Sequence, residues 1–202
     1  QELDVTDEAV TGRNVLHVRV HQWSAATYVE DQDQWWLPGI FREVTVVSRP
    51  ADGIDDIWLR ADYDAATGTG WLLPEIRAGR SAYPVTVRVP ELGVETTFAA
   101  PEDVTAIEAG EVEPWSADVP RLYAAEVSNA AETRSLRVGF RRIEIVGHEW
   151  RVNGRKLRLR GVNRHEFSCD RGRAITRDEI ESDLKLLKQN NFNAVRTSHY
   201  PN

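Results

Sequence analysis

The sequence predicts a mainly β chain that ends in the first β-α-β unit of a β/α barrel. Residues 51–146 contain short runs of alternating apolar and polar residues separated by turns that contain Gly and Asp, which is typical of a β-sandwich. The pattern changes after residue 150, where a strand, a capped helix and a second strand follow within residues 157–196. Such a unit implies a parallel sheet, and a complete barrel needs about 250 residues.

Three segments are predicted along the 202 residues. Residues 1–50 hold the last strands of one domain, residues 51–146 form an immunoglobulin-like sandwich, and residues 147–202 begin the barrel. The charge supports the second boundary, because 25 acidic and 13 basic residues precede residue 147, whereas 7 acidic and 12 basic residues follow. The net charge therefore changes from −12 to +5 there, and such an asymmetry is typical of a domain boundary.

Strand patterns and the residues between them predict the individual elements. Asn153-Gly154 is typical of a two-residue hairpin turn. Trp58, Trp71 and Trp115 lie in the sandwich and are expected in its core. The strand patterns are, in chain order, 14–20, 41–47, 54–63, 70–76, 83–89, 95–99, 122–127, 136–145, 157–161 and 192–196.

One helix is predicted over residues 176–190. Thr176 followed three residues later by Glu179 is a capping box, in which each side chain bonds the backbone of the other. Apolar residues at helical spacing provide one face for packing, and an Asn pair can end the helix in the left-handed conformation. The apolar residues are Ile180, Leu184 and Leu187, and the ending pair is Asn190-Asn191.

Composition excludes several classes of protein. The net charge of −7 argues against nucleic-acid binding, which requires a basic face. A window of 18 apolar residues is absent from the sequence, so no membrane-spanning helix is expected. Neither Met nor a signal-peptide pattern occurs, so we expect a piece of a longer protein. The single cysteine, Cys169, allows no internal disulfide and is compatible with a cytoplasmic location.

Two polar clusters follow the predicted barrel strands. Residues 163–166 follow the first strand and residues 196–200 follow the second, and each cluster includes an arginine and a histidine. Active sites of β/α barrels lie at the C-terminal ends of the strands, so these side chains can converge on one ligand. They can equally cap the strand ends and form salt bridges, and spacing alone leaves both interpretations open.

Other chemical roles are weaker interpretations of the same residues. His165, Cys169 and His199 could ligate a metal, but the His-x₃-Cys spacing is not that of a standard zinc site. Glu166 could be a general acid or base, or the structural partner of a nearby arginine. Cys169 has no marked activating base apart from the nearby His165, which argues against a nucleophilic cysteine.

An acidic loop at residues 30–33 is the third candidate site. Its three carboxylates could hold a cation or accept hydrogen bonds from sugar hydroxyls, with Trp35 and Trp36 stacking on a sugar face. A solvated acidic loop beside two core tryptophans accounts for the same residues without any ligand.

Four stretches of the sequence resemble glycoside hydrolase family 2, in particular its large bacterial β-galactosidases. The resemblance covers the whole chain in the family's order, and the first and last stretches are long. The stretches are Glu30-Asp31-Gln32-Asp33-Gln34-Trp35 with Gly39-Ile40-Phe41-Arg42-Glu43-Val44, Pro114-Trp115-Ser116 to Pro120-Arg121-Leu122-Tyr123 with Val138-Gly139-Phe140-Arg141, Arg160-Gly161-Val162-Asn163-Arg164-His165-Glu166, and the final fifteen residues from Lys188 to Asn202.

The resemblance implies a jelly-roll sugar-binding domain ending within residues 1–50, a sandwich and a catalytic TIM barrel. It implies hydrolysis of β-galactosides with retention, by two glutamates that lie beyond residue 202, as do the magnesium ligands. Asp33 matches a residue that contacts the galactose 6-hydroxyl and a sodium ion. His165 and His199 match histidines that stabilise the transition state, and Arg196 matches an arginine that orients the nucleophile. The intact enzyme is expected to be a homo-oligomer that requires Na⁺ and Mg²⁺.

Other functions remain open at this stage. A β-glucuronidase or β-mannosidase would belong to the same family, although the acidic loop would repel the carboxylate of a uronic acid. A non-catalytic carbohydrate-binding module is the alternative from another class. The 202-residue chain alone is expected to be inactive, because retention requires two carboxylates.

Overall fold

The computed structural model describes residues 2–29 and 39–199. They form two compact units. The first consists of the described residues of Gln1–Thr45, Asn163–Leu184 and Arg196–Asn202, and the second consists of Val46–Val162 and Lys185–Val195. The fold is mainly β, as predicted, and no helix in the described part is long and apolar enough to cross a membrane.

Seven strands of the second unit form the predicted sandwich. The sheets have the orders β1-β2-β5 and β4-β3-β6-β7, and the pairings within them are antiparallel. Constant-type immunoglobulin domains also have seven strands, but here the fourth strand pairs with the third rather than joining the three-stranded sheet. The strands are β1 (Ile54–Tyr63), β2 (Thr69–Ala78), β3 (Val85–Val89), β4 (Val94–Phe98), β5 (Ile107–Glu111), β6 (Tyr123–Ser128) and β7 (Thr133–Val138).

Alternating side chains of both sheets build one hydrophobic core. Val85, Val87 and Val89 of β3 have no solvent-exposed surface, which is the period-two burial of a strand that faces a second sheet. Tyr123 lies at the start of β6, and its hydroxyl accepts a hydrogen bond of 2.8 Å from the backbone N–H of Glu113. A tyrosine bonded in this way to the preceding corner is a hallmark of immunoglobulin-type sandwiches.

Five strands follow the sandwich. A three-stranded antiparallel sheet has the order β10-β9-β8, and β11 lies beside β12. Asn153 and Gly154 connect β9 to β10 with positive φ angles of 52° and 74°, as predicted for the hairpin turn. The strands are β8 (Ile143–Val146), β9 (Glu149–Val152), β10 (Arg155–Lys156), β11 (Gly161–His165) and β12 (Ala194–Ser198).

The helix between β11 and β12 confirms the predicted caps. Helix α1 spans Arg177–Gln189. The Thr176 N–H donates to Glu179 Oε2 at 2.7 Å, and this bond, with that of the Thr176 hydroxyl, lowers the pKa of the Glu179 carboxyl. Asn191 has φ 61°, and the Phe192 N–H donates to the Leu187 carbonyl at 3.0 Å, which is the Schellman arrangement.

Several strand predictions are wrong. Residues 14–20 and 41–47 form no strand in the described structure, where no backbone hydrogen bonds pair them with a neighbouring segment. The predicted strand 136–145 is two strands, β7 and β8, and β5 was not predicted because its sequence has one large apolar residue and a glycine.

The two barrel strands lie further along the chain than predicted. Strand β11 begins at residue 161, not 157, because the Leu157 N–H still bonds the Trp150 carbonyl of the preceding hairpin at 2.7 Å. Strand β12 begins at residue 194 rather than 192, after the helix-ending turn. The prediction for Trp58 is also wrong, since this side chain is 56 % exposed while its neighbour Leu59 is buried.

Tyr123→Phe is expected to lower the free energy of unfolding by about 1–2 kcal/mol, because the Glu113 N–H loses its acceptor. The matched control is Tyr83→Phe, since the Tyr83 hydroxyl is buried without a hydrogen-bond partner among the described residues. Urea unfolding of the 202-residue chain, followed by tryptophan fluorescence, measures both. Equal losses for the two variants would contradict the role assigned to the Tyr123 hydroxyl.

The stability of the sandwich should depend on Asp62 in a pH-dependent way. Arg142 donates to Asp62 from Nε at 3.0 Å and from Nη2 at 2.5 Å, and this contact lowers the pKa of the Asp62 carboxyl. A carboxyl with a lowered folded-state pKa stabilises the fold above its unfolded pKa of about 3.9, and this contribution is lost as the pH falls through the folded value.

Asp62→Asn should therefore cost about 1 kcal/mol at pH 7, a value reduced for partial exposure of the pair. The cost should fade as the pH is lowered below about 4. Asp55→Asn on the same strand is the control, because Asp55 is exposed. Urea unfolding at pH 7 and pH 3 gives the change in free energy of unfolding for each of the two variants. An Asp62→Asn cost that does not change with pH would exclude the ion pair as its source.

Candidate functional site

Two histidines meet at the ends of the barrel strands. His165 is the last residue of β11, and His199 directly follows β12. Their ring centroids are 5.2 Å apart, and the ring planes are inclined by 83°, so the edge of one ring faces the other. The structure therefore brings together two side chains that the sequence placed at neighbouring strand ends, and a ligand at this edge can contact both.

The starts of β11 and β12 are held side by side by Asn193. Its Oδ1 accepts from the Arg160 N–H at 2.8 Å, its Nδ2 donates to the Arg158 carbonyl at 2.9 Å, and its backbone N–H donates to the Arg160 carbonyl at 3.0 Å. A Cβ atom at Gly161 would lie 3.1 Å from both Cβ and O of Ala194. The missing side chain of Gly161 thus permits the close approach of the strands. Because the strands meet at Gly161 and Ala194 near their starts and at His165 and His199 near their ends, both run in the same direction.

Arg196 of β12 favours one tautomer of the His199 imidazole. Its Nη1 donates to Ser198 Oγ at 3.2 Å and contacts His199 Nδ1 at 3.4 Å. A guanidinium group can only donate, so Nδ1 must accept, and the proton of the neutral imidazole then lies on Nε2. The Nε2 atom is buried and has no hydrogen-bond partner among residues 2–29 and 39–199. It is therefore a donor that can bond an oxygen atom of a ligand.

Glu166 faces two arginines. One carboxylate oxygen forms an ion pair with Arg42 Nη2, and the other lies 3.8 Å from Arg164 Nη1. Arg164 also donates to Asp183 on α1 at 2.9 Å, and its side chain is only 14 % exposed. Because both oxygens face cations, the ion-pair interpretation of Glu166 accounts for its position better than a role as general acid or base.

Two of these partners were not singled out from the sequence. Arg42 lies in the resembling stretch from Gly39 to Val44 without a predicted role, and Asp183 is predicted only as part of the helix. Asp183 lies about two turns from the N-terminus of α1, and its position in the sequence does not indicate that it bonds Arg164. The contact between Arg42 and Glu166 joins residues 124 positions apart, which no local pattern indicates.

The remaining predicted site residues do not join this cluster in the described structure. Cys169 is exposed, and no group of three His, Cys, Asp or Glu side chains in the described ranges is placed to hold a metal ion. Asp33, with its predicted sugar and sodium contacts, lies outside the described residues, as do Trp35 and Trp36.

Comparison with sequence families matches both ends of the chain. Residues 1–50 match the sugar binding domain of glycosyl hydrolases family 2, and residues 143–202 match the TIM barrel domain of the same family. The chain belongs to glycoside hydrolase family 2. The two matches follow each other in the order that the family 2 resemblance implied.

Curated relatives in the family cover the whole chain. A β-galactosidase of Arthrobacter sp. (strain B7) is 56 % identical over 201 residues, which is 100 % of this chain and 20 % of the relative. A β-galactosidase of Photobacterium profundum is 37 % identical over 225 residues, which is 100 % of this chain and 22 % of that protein. The chain thus spans about a fifth of the length of the relatives it matches.

Solved structures show the same fold at low identity. The β-glucuronidase of Ruminococcus gnavus superposes with a TM-score of 0.63 at 24 % identity, over 73 % of this chain and 26 % of that one. The β-glucuronidase of Parabacteroides merdae gives 0.59 at 23 % identity, over 73 % and 21 %. At this identity the likeness supports the family 2 fold and leaves the substrate open.

Proposed function

We propose that the intact protein is a retaining β-galactosidase that hydrolyses terminal β-D-galactosides such as lactose, and that this chain supplies part of its sugar-binding site. The observation that carries the proposal is the contact between His165 and His199 at the strand ends. The 56 % identity to the Arthrobacter β-galactosidase supports galactosides as the substrates.

Retention requires an acid/base and a nucleophilic carboxylate about 5–5.5 Å apart. By the family resemblance, both are glutamates beyond residue 202. The role left to His165 and His199 is to donate hydrogen bonds to sugar hydroxyls, and bonds that shorten as the ring flattens lower the barrier to reaction. Since Arg196 holds the Nε2–H form of His199, this donor is oriented before the substrate arrives.

Arg196 has a second role in the proposal. Among the described residues, Ser198 and His199 contact its Nη1, and the proposal assigns the other N–H groups of the guanidinium to a carboxylate. A planar group with several donors suits this task. We assign Arg196 the orientation of the nucleophilic glutamate, as the resemblance implies.

Asp33 is proposed to bind the galactose 6-hydroxyl together with a sodium ion, and Mg²⁺ is proposed to bind residues beyond this chain. Carboxylate oxygens suit hard cations of this kind. We also propose that the intact enzyme is a cytoplasmic homo-oligomer. These assignments follow from the resemblance of residues 30–44 and of the whole chain to the family.

A β-glucuronidase is the second candidate, because the superposed structures are β-glucuronidases. A uronic acid carries a carboxylate at the position that the 6-hydroxyl has in galactose. Three acidic residues in the loop 30–33 would repel it. We therefore favour the galactoside. A β-mannosidase and a non-catalytic carbohydrate-binding module remain outcomes of the assay.

The full-length protein is expected to hydrolyse a chromogenic β-galactoside and not the matching β-glucuronide or β-mannoside. The 202-residue chain is expected to give no turnover above the buffer, because positioning groups cannot replace the two carboxylates. NMR of the first product should show the β-anomer. Faster turnover of the glucuronide would mean that the protein is a β-glucuronidase. A full-length protein that binds these glycosides but does not hydrolyse them would be a carbohydrate-binding module.

His165→Phe and His199→Phe in the full-length enzyme should each lower kcat and kcat/KM together, with little change in KM. A lost hydrogen bond is worth about 0.5–3 kcal/mol, depending on the charge of its partner, and 1.36 kcal/mol is tenfold in rate. The loss should therefore be about twofold to somewhat more than a hundredfold for each residue. Steady-state kinetics measure it, with thermal melting as the check of folding.

The substitutions His199→Gln and His199→Asn test which ring nitrogen of His199 carries the proton. A Gln amide can replace the Nε2–H donor, whereas an Asn amide can only reach the position of Nδ1. His199→Gln should thus retain more activity than His199→Asn. The opposite order would mean that His199 contacts the sugar through Nδ1.

Asp33→Ala should weaken galactoside binding and reduce any dependence on sodium. Arabinosides lack the 6-hydroxyl, so the same change should affect them much less. The ratio of kcat/KM for the two substrate types, at several sodium concentrations, measures this. Equal losses for both would make Asp33 a structural residue.

A further inference from the structure

We propose that Arg42 and Glu166 are a positioning pair that holds the strand end carrying His165, and this inference rests on the proposed function of that histidine. Glu166 directly follows His165 in the chain, and its carboxylate forms an ion pair with the Arg42 guanidinium. Arg42 lies within the residues that match the sugar binding domain, and Glu166 lies within those that match the barrel. The pair thus ties one matched region to the other at the histidine.

Arg42 makes more than one contact with the loop after β11. Its Nη1 donates to the Arg173 carbonyl at 2.9 Å and to the Phe41 carbonyl at 3.0 Å. The Arg173 guanidinium in turn lies over the Phe41 ring, 4.2 Å from its centroid. Residues 41 and 42 therefore contact the loop at its start, through Glu166, and near its end, through Arg173.

The loop is also closed upon itself between these two anchors. Ser168 and Gly172 exchange backbone hydrogen bonds of 2.8 and 2.9 Å, and the Phe167 N–H bonds the His165 carbonyl at 3.1 Å. These hydrogen bonds connect the loop to the backbone of His165. A displacement at Arg42 would therefore be transmitted to the His165 backbone.

Burial gives this pair more weight than an exposed ion pair such as that of Arg80 and Glu102. The side chains of Arg42 and Glu166 are 35 % and 25 % exposed, whereas those of Arg80 and Glu102 are 73 % and 59 % exposed. Charge interactions strengthen as solvent is excluded, and exposed pairs contribute little. An arginine is also suited to bridging a carboxylate and a carbonyl, because its donors lie in one rigid plane.

The test is a double-mutant cycle in the full-length enzyme, with kcat/KM for a β-galactoside as the measure. Arg42→Ala should lower kcat/KM about three- to tenfold, as expected for residues coupled by about 1 kcal/mol. In a His165→Phe background the same change should have much less effect, because the group that Arg42 positions is already gone. Arg80→Ala, which breaks the exposed pair on the sandwich, is the matched control and should leave kcat/KM unchanged in both backgrounds.

Two conservative variants keep the inference testable if Arg42→Ala does not fold. Glu166→Gln retains the shape of the side chain and should show the same coupling to His165, and Arg42→Lys retains the charge and should recover part of the activity. Equal losses from Arg42→Ala with and without His165, or no loss at all, would overturn the inference while leaving the proposed function intact. A full-length protein without galactosidase activity would instead overturn the proposed function.

Discussion

The side-by-side register of β11 and β12 is the constraint on which the candidate site depends. Asn193 sets it by bonding both Arg158 and Arg160, and Gly161 allows the strands to approach closely. A shift of one residue in either strand would turn every side chain to the opposite face. His165 lies five residues after Arg160 and His199 lies six residues after Asn193, so both come at the same end of the two paired strands. The contact between the rings therefore depends on an amide that touches neither of them.

Arginine side chains provide the second level of organisation, and each of them fixes a different group. Arg196 contacts Nδ1 of His199 and so favours the Nε2–H tautomer. Arg164 of β11 bonds Asp183 of α1, and Arg42 forms an ion pair with Glu166. Their guanidinium groups present several donors in one plane, so a single side chain can bond two acceptors at once. Lysine, with a compact charge on a flexible stem, would neutralise the same carboxylates without fixing their orientation.

Local features of the fold could be predicted from the sequence, and features that depend on distant partners could not. The caps of α1 were predictable because Thr176, Glu179 and Asn191 act within their own turn of the helix. The bounds of β11 were not, because the preceding hairpin occupies the backbone of Leu157. The two histidines were identified by the order of strand and helix and by the family stretches. Arg42 was missed because its partner lies 124 residues away, and the exposure of Trp58 follows from Leu59 taking the inward position.

The free energies of hydrogen bonds limit how much the histidines of this chain can lower a reaction barrier. A hydrogen bond to a charged group is worth about 1.5–3 kcal/mol, so two histidines acting on a transition state supply at most about 6 kcal/mol. Enzymes lower reaction barriers by about 8–23 kcal/mol. In the proposed mechanism the difference comes from proton transfer and covalent catalysis by two carboxylates, whose separation is itself a matter of positioning. In the roles proposed for them, Arg196 and Arg42 matter less for the energy of their own bonds than for the geometry they impose on the groups that react.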